Sequence, residues 1–428
     1  MGRRVAVAAM VVGLLVAGSW SPVAGTAPGD DPFFDRQWAL QQIGAPAAWS
    51  AARGAGVTIG VVDTGVDLSH PDLAGKIAAS ADCVGRPCAA GGGQDVNGHG
   101  TMVSGIAAAA TGNGRGVAGV APDANLVVAK VLADNGEGRV EDINAGIRWV
   151  VDRGAKVVNL SLGDPHFLVT SLLGTPLRTG IEYAWSRGAV PVLASGNYNT
   201  GVAELGSQNY GALNAIVVGA TDRSGGVAPY SSAIGNAKWG AVAPGGSGAA
   251  GADNNIISTY LGGEYAASAG TSMAAPHVSG ALAVLLSQGL SPTAAVQRLL
   301  ATLDRVSCGR GCQGRLNLAA AAGSGQAPAS PVETTAPPAT RSRPTTTTST
   351  STTEPPSTST TPPTSAAPPT VLPDPSELAA GRTRSLGGPG GGGRNPVPVA
   401  TAAVLLVAVG AALATVVVRL RFTASGGS

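Results

Sequence analysis

Three short motifs carry residue types that can do chemistry together. Asp63-Thr64-Gly65 directly follows the apolar, β-branched run 57–62, so a carboxylate leaves the end of a strand half buried. Asn97-Gly98-His99-Gly100-Thr101 sets an imidazole between two glycines, just ahead of a stretch of small and apolar residues with helical character. Gly270-Thr271-Ser272-Met273-Ala274-Ala275-Pro276-His277-Val278 places Ser272 at the start of a long apolar helix, facing the positive end of its dipole. A serine hydroxyl is a weak nucleophile alone, so acyl transfer needs a base within reach and a third group that fixes the base's tautomer. Ser272, His99 and Asp63 fill those roles. Ala194-Ser195-Gly196-Asn197, at the end of another apolar run, adds a side-chain amide at Asn197. With the Ser272 backbone N–H, that amide could hold the developing oxyanion.

These groups need a scaffold that brings three distant segments to one place. Buried strands are expected at 57–62, 126–131, 156–160, 190–194 and 215–221, and helices at 99–110, 141–152 and 180–187. Such alternation implies an α/β fold with a mainly parallel sheet covered by helices on both faces. Functional residues then gather at the carboxyl ends of the strands, where all three motifs fall.

Asp-Thr-Gly, Gly-His-Gly-Thr and Gly-Thr-Ser-Met-Ala-Ala-Pro-His, in this order and with Asn197 between the last two, resemble the subtilisin family of serine proteases over most of 35–320. The resemblance implies that Ser161-Leu162-Gly163 and Asn135-Gly136-Glu137-Gly138 are two edges that pair with an extended peptide substrate, whose main chain is held as an added strand. It also implies that Ala194, Ser195 and Gly196 line the primary specificity pocket and that no cofactor is needed. Asp67 and Asp72 offer oxygens to calcium, but they are expected in a solvated loop and nothing else in the sequence calls for that ion.

The chain's ends extend this picture. Arg3 and Arg4 precede an apolar run, 5–17, and small residues around Ala24 and Ala27, the layout of a secretory signal peptide over 1–27. An extension over 28–56 precedes the peptidase domain, 57–322. The segment 323–395 is rich in Thr, Ser, Pro and Gly, poor in apolar side chains, and is expected to be a disordered linker. The run 399–418 lacks any charged side chain and Arg419 and Arg421 follow it, so 396–420 is expected to span a bilayer once with 421–428 as a cytoplasmic tail and the catalytic domain outside. This order resembles the mycosins, membrane-anchored subtilisins of type VII secretion systems, and implies a secretion membrane complex as partner. Only about 30 residues separate signal and first strand, below the roughly 40 that a folded pro-domain needs, and 33–49 is expected to wrap the catalytic domain.

A formal net charge of +2 with scattered basic residues gives no reason to expect nucleic acid as a partner. Four cysteines form two close pairs, Cys83 with Cys88 and Cys308 with Cys312, and two local disulfides are the simplest of three connectivities in an oxidising compartment. A zinc site would want histidines nearby and lacks them.

Other readings of the motifs fare worse. An aspartic protease needs a second carboxylate sharing the proton, and no second Asp-Thr-Gly or Asp-Ser-Gly occurs. Ala266-Ala267-Ser268-Ala269-Gly270 faintly resembles an α/β-hydrolase nucleophile turn, but the order serine, acid, histidine is not available. His70, His166 and His277 are expected to be structural or surface groups. A protease-like subunit that only docks to a membrane complex has no reason to keep Asp63, His99, Ser272 and Asn197 together. A released nutritional protease is disfavoured by the C-terminal apolar run.

Overall fold

The computed structural model describes residues 30–162, 176–197, 210–323 and 369–372. The β-branched runs form strands: β1 (Thr58–Asp63), β2 (Ile77–Asp82), β3 (Ala89–Ala90), β4 (Asn125–Lys130), β5 (Val157–Leu160), β6 (Val190–Ala194), β7 (Ile216–Thr221) and β8 (Trp239–Pro244). They make one sheet in the order β3-β2-β4-β1-β5-β6-β7-β8, parallel throughout except for the antiparallel β3 at its edge. Because β1 lies between β4 and β5, the crossovers diverge at its carboxyl end and leave a crevice there.

Successive strand residues point to opposite faces, so each apolar run feeds two cores. Val61, Val128, Val192 and Val218 join one core, with Val103 and Ala107 of α3 (His99–Ala108) and Val278, Leu282 and Leu285 of α6 (Thr271–Ser287). Val62, Val127, Leu193 and Val217 join the other, with Ile147 and Val150 of α4 (Val140–Asp152) and Ile181 and Ala184 of α5 (Arg178–Ser186). Each fully buried Val, Leu or Ile side chain in these layers contributes about 1.5–3 kcal/mol. The five expected strands and three expected helices all form, within two residues at each boundary.

Residues 33–49 make contacts with the domain. Short helices α1 (Trp38–Gln42) and α2 (Ala45–Ala48) bury Leu40, Ile43 and Ala45 in the first core. Gln37 exchanges a pair of hydrogen bonds with Ala118, at 2.9 and 2.7 Å, and the indoles of Trp38 and Trp49 donate to the carbonyls of Asn255 and Val120. Two further helices, α7 (Pro292–Ala301) and α8 (Leu318–Ala322), close the domain. Cys83 bonds to Cys88 and Cys308 to Cys312.

A second, small sheet holds β9 (Ile256–Thr259), β10 (Tyr265–Ser268) and β11 (Thr370–Val371). The last strand comes from within 323–395, the segment expected to be linker throughout. Leu372, which follows this strand, lies in an apolar cluster of the domain. A solvated loop was also expected at Asp67 and Asp72, yet both are buried. Asp67 accepts from Ser69, Gly262 and Gly263, and Asp72 from Asn113 and Val117, so hydrogen bonds replace water around each carboxylate. The signal peptide, the apolar run at 396–420 and the tail 421–428 lie outside the described residues. Among the described residues no single helix is long and apolar enough to cross a membrane.

Candidate active site

Asp63 ends β1 and is fully buried. Its Oδ1 accepts two hydrogen bonds of 2.7 Å, from the Thr64 backbone N–H and from His99 Nδ1. The imidazole's Nδ1 therefore carries a proton and its Nε2 is left to act as a base. Burial alone would lower the His99 pKa. The charge of Asp63, its hydrogen bond and the charge of Asp95 outweigh that effect and raise it above the ordinary histidine value.

The glycines of the first two motifs are explained by how the loops meet. Gly98 caps α3 at φ +97°, and a Cβ there would lie 2.2 Å from the Tyr260 ring. A Cβ on Gly100 would lie 2.1 Å from the Gly65 carbonyl oxygen, so the helix start packs directly on the turn after Asp63. The Gly100 N–H donates to Thr64 Oγ1 across this contact at 2.9 Å.

Two supports escaped the reading of the motifs. Asp95, 2 % exposed, accepts through Oδ1 from Thr64 Oγ1, Asn97 N and Gly98 N, and through Oδ2 from both Thr101 N and Thr101 Oγ1. One carboxylate thus ties the turn after Asp63 to both sides of His99. Lys130, beside Asp63 in the β1–β4 register, donates its buried ammonium to the Thr64 carbonyl at 2.9 Å and pairs with Asp134 at 3.0 Å. A charged residue four positions before His99 and another at a strand end were the available signals, but neither has meaning until the loops are folded together. Ser161, expected at a substrate edge, also bonds to Ser272.

Ser272 occupies the second position of α6, where backbone N–H groups have no partner within the helix. Its hydroxyl donates to the Ser161 carbonyl at 3.2 Å, and the Ser161 hydroxyl donates to the Ser272 carbonyl at 2.7 Å. That carbonyl is free because the residue four places on is Pro276, which has no N–H to give it. Asn159 Nδ2 donates to Ser161 Oγ, and Ser279 Oγ to Asn159 Oδ1, so a buried chain of neutral hydrogen bonds runs from α6 through β5 back to the serine. His277 is buried, donates Nδ1–H to the Met273 carbonyl at 2.8 Å, and burial lowers its pKa to about 4, a structural group. His70 is also buried, bonded to Glu264 and Asp72; His166 lies outside the described residues.

Asn197 closes the same end of the crevice. Its Oδ1 accepts from Thr271 N at 2.9 Å and Thr271 Oγ1 at 3.0 Å, which fixes the orientation of the amide and leaves Nδ2 as the group available to an anion. A Cβ on Gly270 would lie 3.2 Å from that Nδ2.

The other expected substrate contacts are spread over three places. Ala194 and Ser195 are buried, and Ser195 Oγ donates to the Ser232 carbonyl at 3.0 Å. Gly196 turns at φ +102° and donates its N–H to Thr271 Oγ1. Asn135 and Gly136 lie in a tight turn closed by hydrogen bonds between Ala133 and Glu137 and between Gly136 and Ala133. Asn97 Nδ2 reaches the Asp134 carbonyl from the His99 loop at 3.0 Å. Leu162 is half-buried against the second core, and Gly163 lies outside the described residues.

A parallel-sheet fold with a buried carboxylate–imidazole pair and a serine at a helix start defines a serine protease of the subtilisin type. Residues 54–331 match the model of the subtilase family, peptidase S8, and the chain belongs to that family. It is 39% identical to thermitase of Thermoactinomyces vulgaris over 299 residues, 68% of this chain and 97% of that one. It is 42% identical to subtilisin Savinase of Lederbergia lenta over 256 residues, 58% of this chain and 83% of that one. A solved protease structure from Pseudoalteromonas arctica superposes with a TM-score of 0.60 at 31% identity, covering 69% of this chain and 98% of that one. The protein is a serine endopeptidase.

Proposed function

We propose that Ser272 is the nucleophile, His99 the general base and then acid, and Asp63 the group that holds the imidazole, in hydrolysis through an acyl-enzyme. The 2.7 Å bond from His99 Nδ1 to Asp63 carries this reading, since it leaves Nε2 as proton acceptor. For reaction the Ser272 hydroxyl turns from the Ser161 carbonyl toward His99, attacks the scissile carbonyl carbon and passes its proton to Nε2. The carbonyl oxygen, now negative, takes hydrogen bonds from Asn197 Nδ2 and the Ser272 N–H. His99 returns the proton to the leaving amine, and water then repeats the sequence on the ester. An extended peptide lies between Ser161 and Leu162 on one side and Asn135 and Gly136 on the other, with Ala194, Ser195 and Gly196 at the primary pocket.

The enzyme acts at the outer face of a cell membrane, held by a single span at 396–420, and is of the mycosin kind, acting on exported proteins beside a type VII secretion complex. The order of signal, protease, Pro/Thr-rich segment and apolar run supports this, together with the short N-terminal segment packed on the domain. An extracellular domain is consistent with two disulfides.

The test is labelling of the full chain by a fluorophosphonate, with cleavage of a peptide panel, beside Ser272→Ala. The expected result is labelling and cleavage by the wild type and neither by the variant. Labelling that survives in Ser272→Ala would sink the nucleophile assignment. Recovery of the full-length chain in the soluble fraction of cells would sink the tether.

A further inference from the structure

Residues 369–372, in the C-terminal segment, pair with the catalytic domain. Thr370 and Val371 pair antiparallel with Ala267 and Ala266 of β10, and the Leu372 N–H donates to the Tyr265 carbonyl at 2.8 Å. The Leu372 side chain is 8% exposed and lies in an apolar cluster with Phe33, Val117, Ile257, Tyr265 and Ala267. Val371, one residue earlier, points the other way and is 40% exposed. This is the alternation of a half-buried strand, in a segment whose composition gives little reason to expect one.

The sequence around it suits an added edge strand. Pro368 and Pro369 precede Thr370 and Pro373 and Pro375 follow Leu372, so the paired stretch is limited to a few residues. Prolines flanking a short edge strand also discourage another chain from pairing onto it. Phe33 under Leu372 belongs to the N-terminal segment, whose ring lies 5.3 Å from that of Tyr265. Both ends of the described chain therefore meet at one cluster.

That cluster lies on a path to the active site. β9, paired with β10, is bonded to α3 through Ser258 Oγ to the Met102 carbonyl at 2.8 Å and Thr259 Oγ1 to the Thr101 carbonyl at 2.7 Å. β10 runs through Ala269 and Gly270 directly into the helix that begins at Thr271. The small sheet thus borders the supports of both His99 and Ser272.

We propose that residues 369–372 are an intramolecular clip: a built-in strand that docks the C-terminal tail on the edge of β10, seals the N-terminal segment beneath Leu372 and sets the point from which the tail departs. The clip does not depend on the proposed membrane span.

Hydrogen exchange on the full chain tests this, with Leu372→Asp as the disrupting variant, Val371→Asp as the exposed control and Leu372→Ala as a milder change. Leu372→Asp is expected to raise exchange of amides in 265–268 and 369–372 by about tenfold to a hundredfold, the opening that loss of one buried leucine allows. Leu372→Ala should give a smaller rise in the same peptides, and Val371→Asp almost none. Fast exchange of 369–372 in the wild type, or equal effects of Leu372→Asp and Val371→Asp, would overturn the clip. A wild-type dimer by light scattering that Leu372→Asp converts to monomer would overturn the intramolecular arrangement in favour of exchange between two copies.

Discussion

The two halves of the site are built from different materials. Around His99 the supports are charged and buried: Asp63, Asp95 and Lys130 lie within one loop-and-helix junction. Around Ser272 they are neutral: Ser161, Asn159, Ser279 and Asn197 form hydrogen bonds without a full charge. Charge in a dry setting changes proton affinity, so the first half tunes the base. Neutral donors and acceptors fix direction with little effect on proton affinity, so the second half aims the proposed nucleophile and the Asn197 amide.

Substitutions that treat the halves differently sharpen this contrast. The largest effect is expected from Asn197→Ala, which removes the donor proposed for the oxyanion. We expect kcat to fall by about 10²- to 10³-fold with little change in KM, the scale found for the corresponding donor in a subtilisin. A loss confined to KM would mean that the amide binds substrate and not the transition state.

Asp95→Asn should act through proton affinity. In the proposed mechanism His99 must be neutral to accept the Ser272 proton, and its pKa is raised, so the acid limb of kcat/KM should lie above the ordinary histidine value of 6.5. Removing the Asp95 charge lowers the His99 pKa, and the limb should move to lower pH. The variant also turns an amide toward the Thr101 N–H, so a loss of activity of about tenfold at neutral pH is expected from misplacement of the loop. An unmoved limb with reduced activity would make Asp95 a purely structural support.

Ser161→Ala is expected to have the smallest effect, about three- to tenfold in kcat, because it releases the Ser272 carbonyl but leaves the Ser161 carbonyl in place. Its pH profile should match that of the wild type. A shifted acid limb would blur the division between the two halves.

Much of this site was legible before folding. Gly98 and Gly100 flank His99 because one must adopt a positive φ and the other must touch Gly65, and such local demands leave a mark in the motif. The Pro276 that frees the Ser272 carbonyl is likewise written into the serine motif, though its partner Ser161 lies more than a hundred residues earlier. Asp95 and Lys130 left no such mark. A carboxylate or ammonium reads as surface in a linear chain, and these two are buried where the turn after Asp63 meets the His99 loop and the end of β4.

The C-terminal segment shows the same limit from the other side. Its Pro, Thr and Ser content argues that it cannot form a core of its own, and composition alone cannot reveal that four residues borrow one. By itself the sequence determined the strand and helix pattern, the order of the motifs and the side-chain types from which roles are proposed for Asp63, His99 and Ser272, because hydrophobic period, glycine conformation and side-chain type are properties of neighbouring residues. The tertiary structure alone decided which carboxylates are buried, which carbonyl receives which hydroxyl and where Leu372 docks, because burial and pairing between distant segments depend on surfaces that exist only once the sheet has formed.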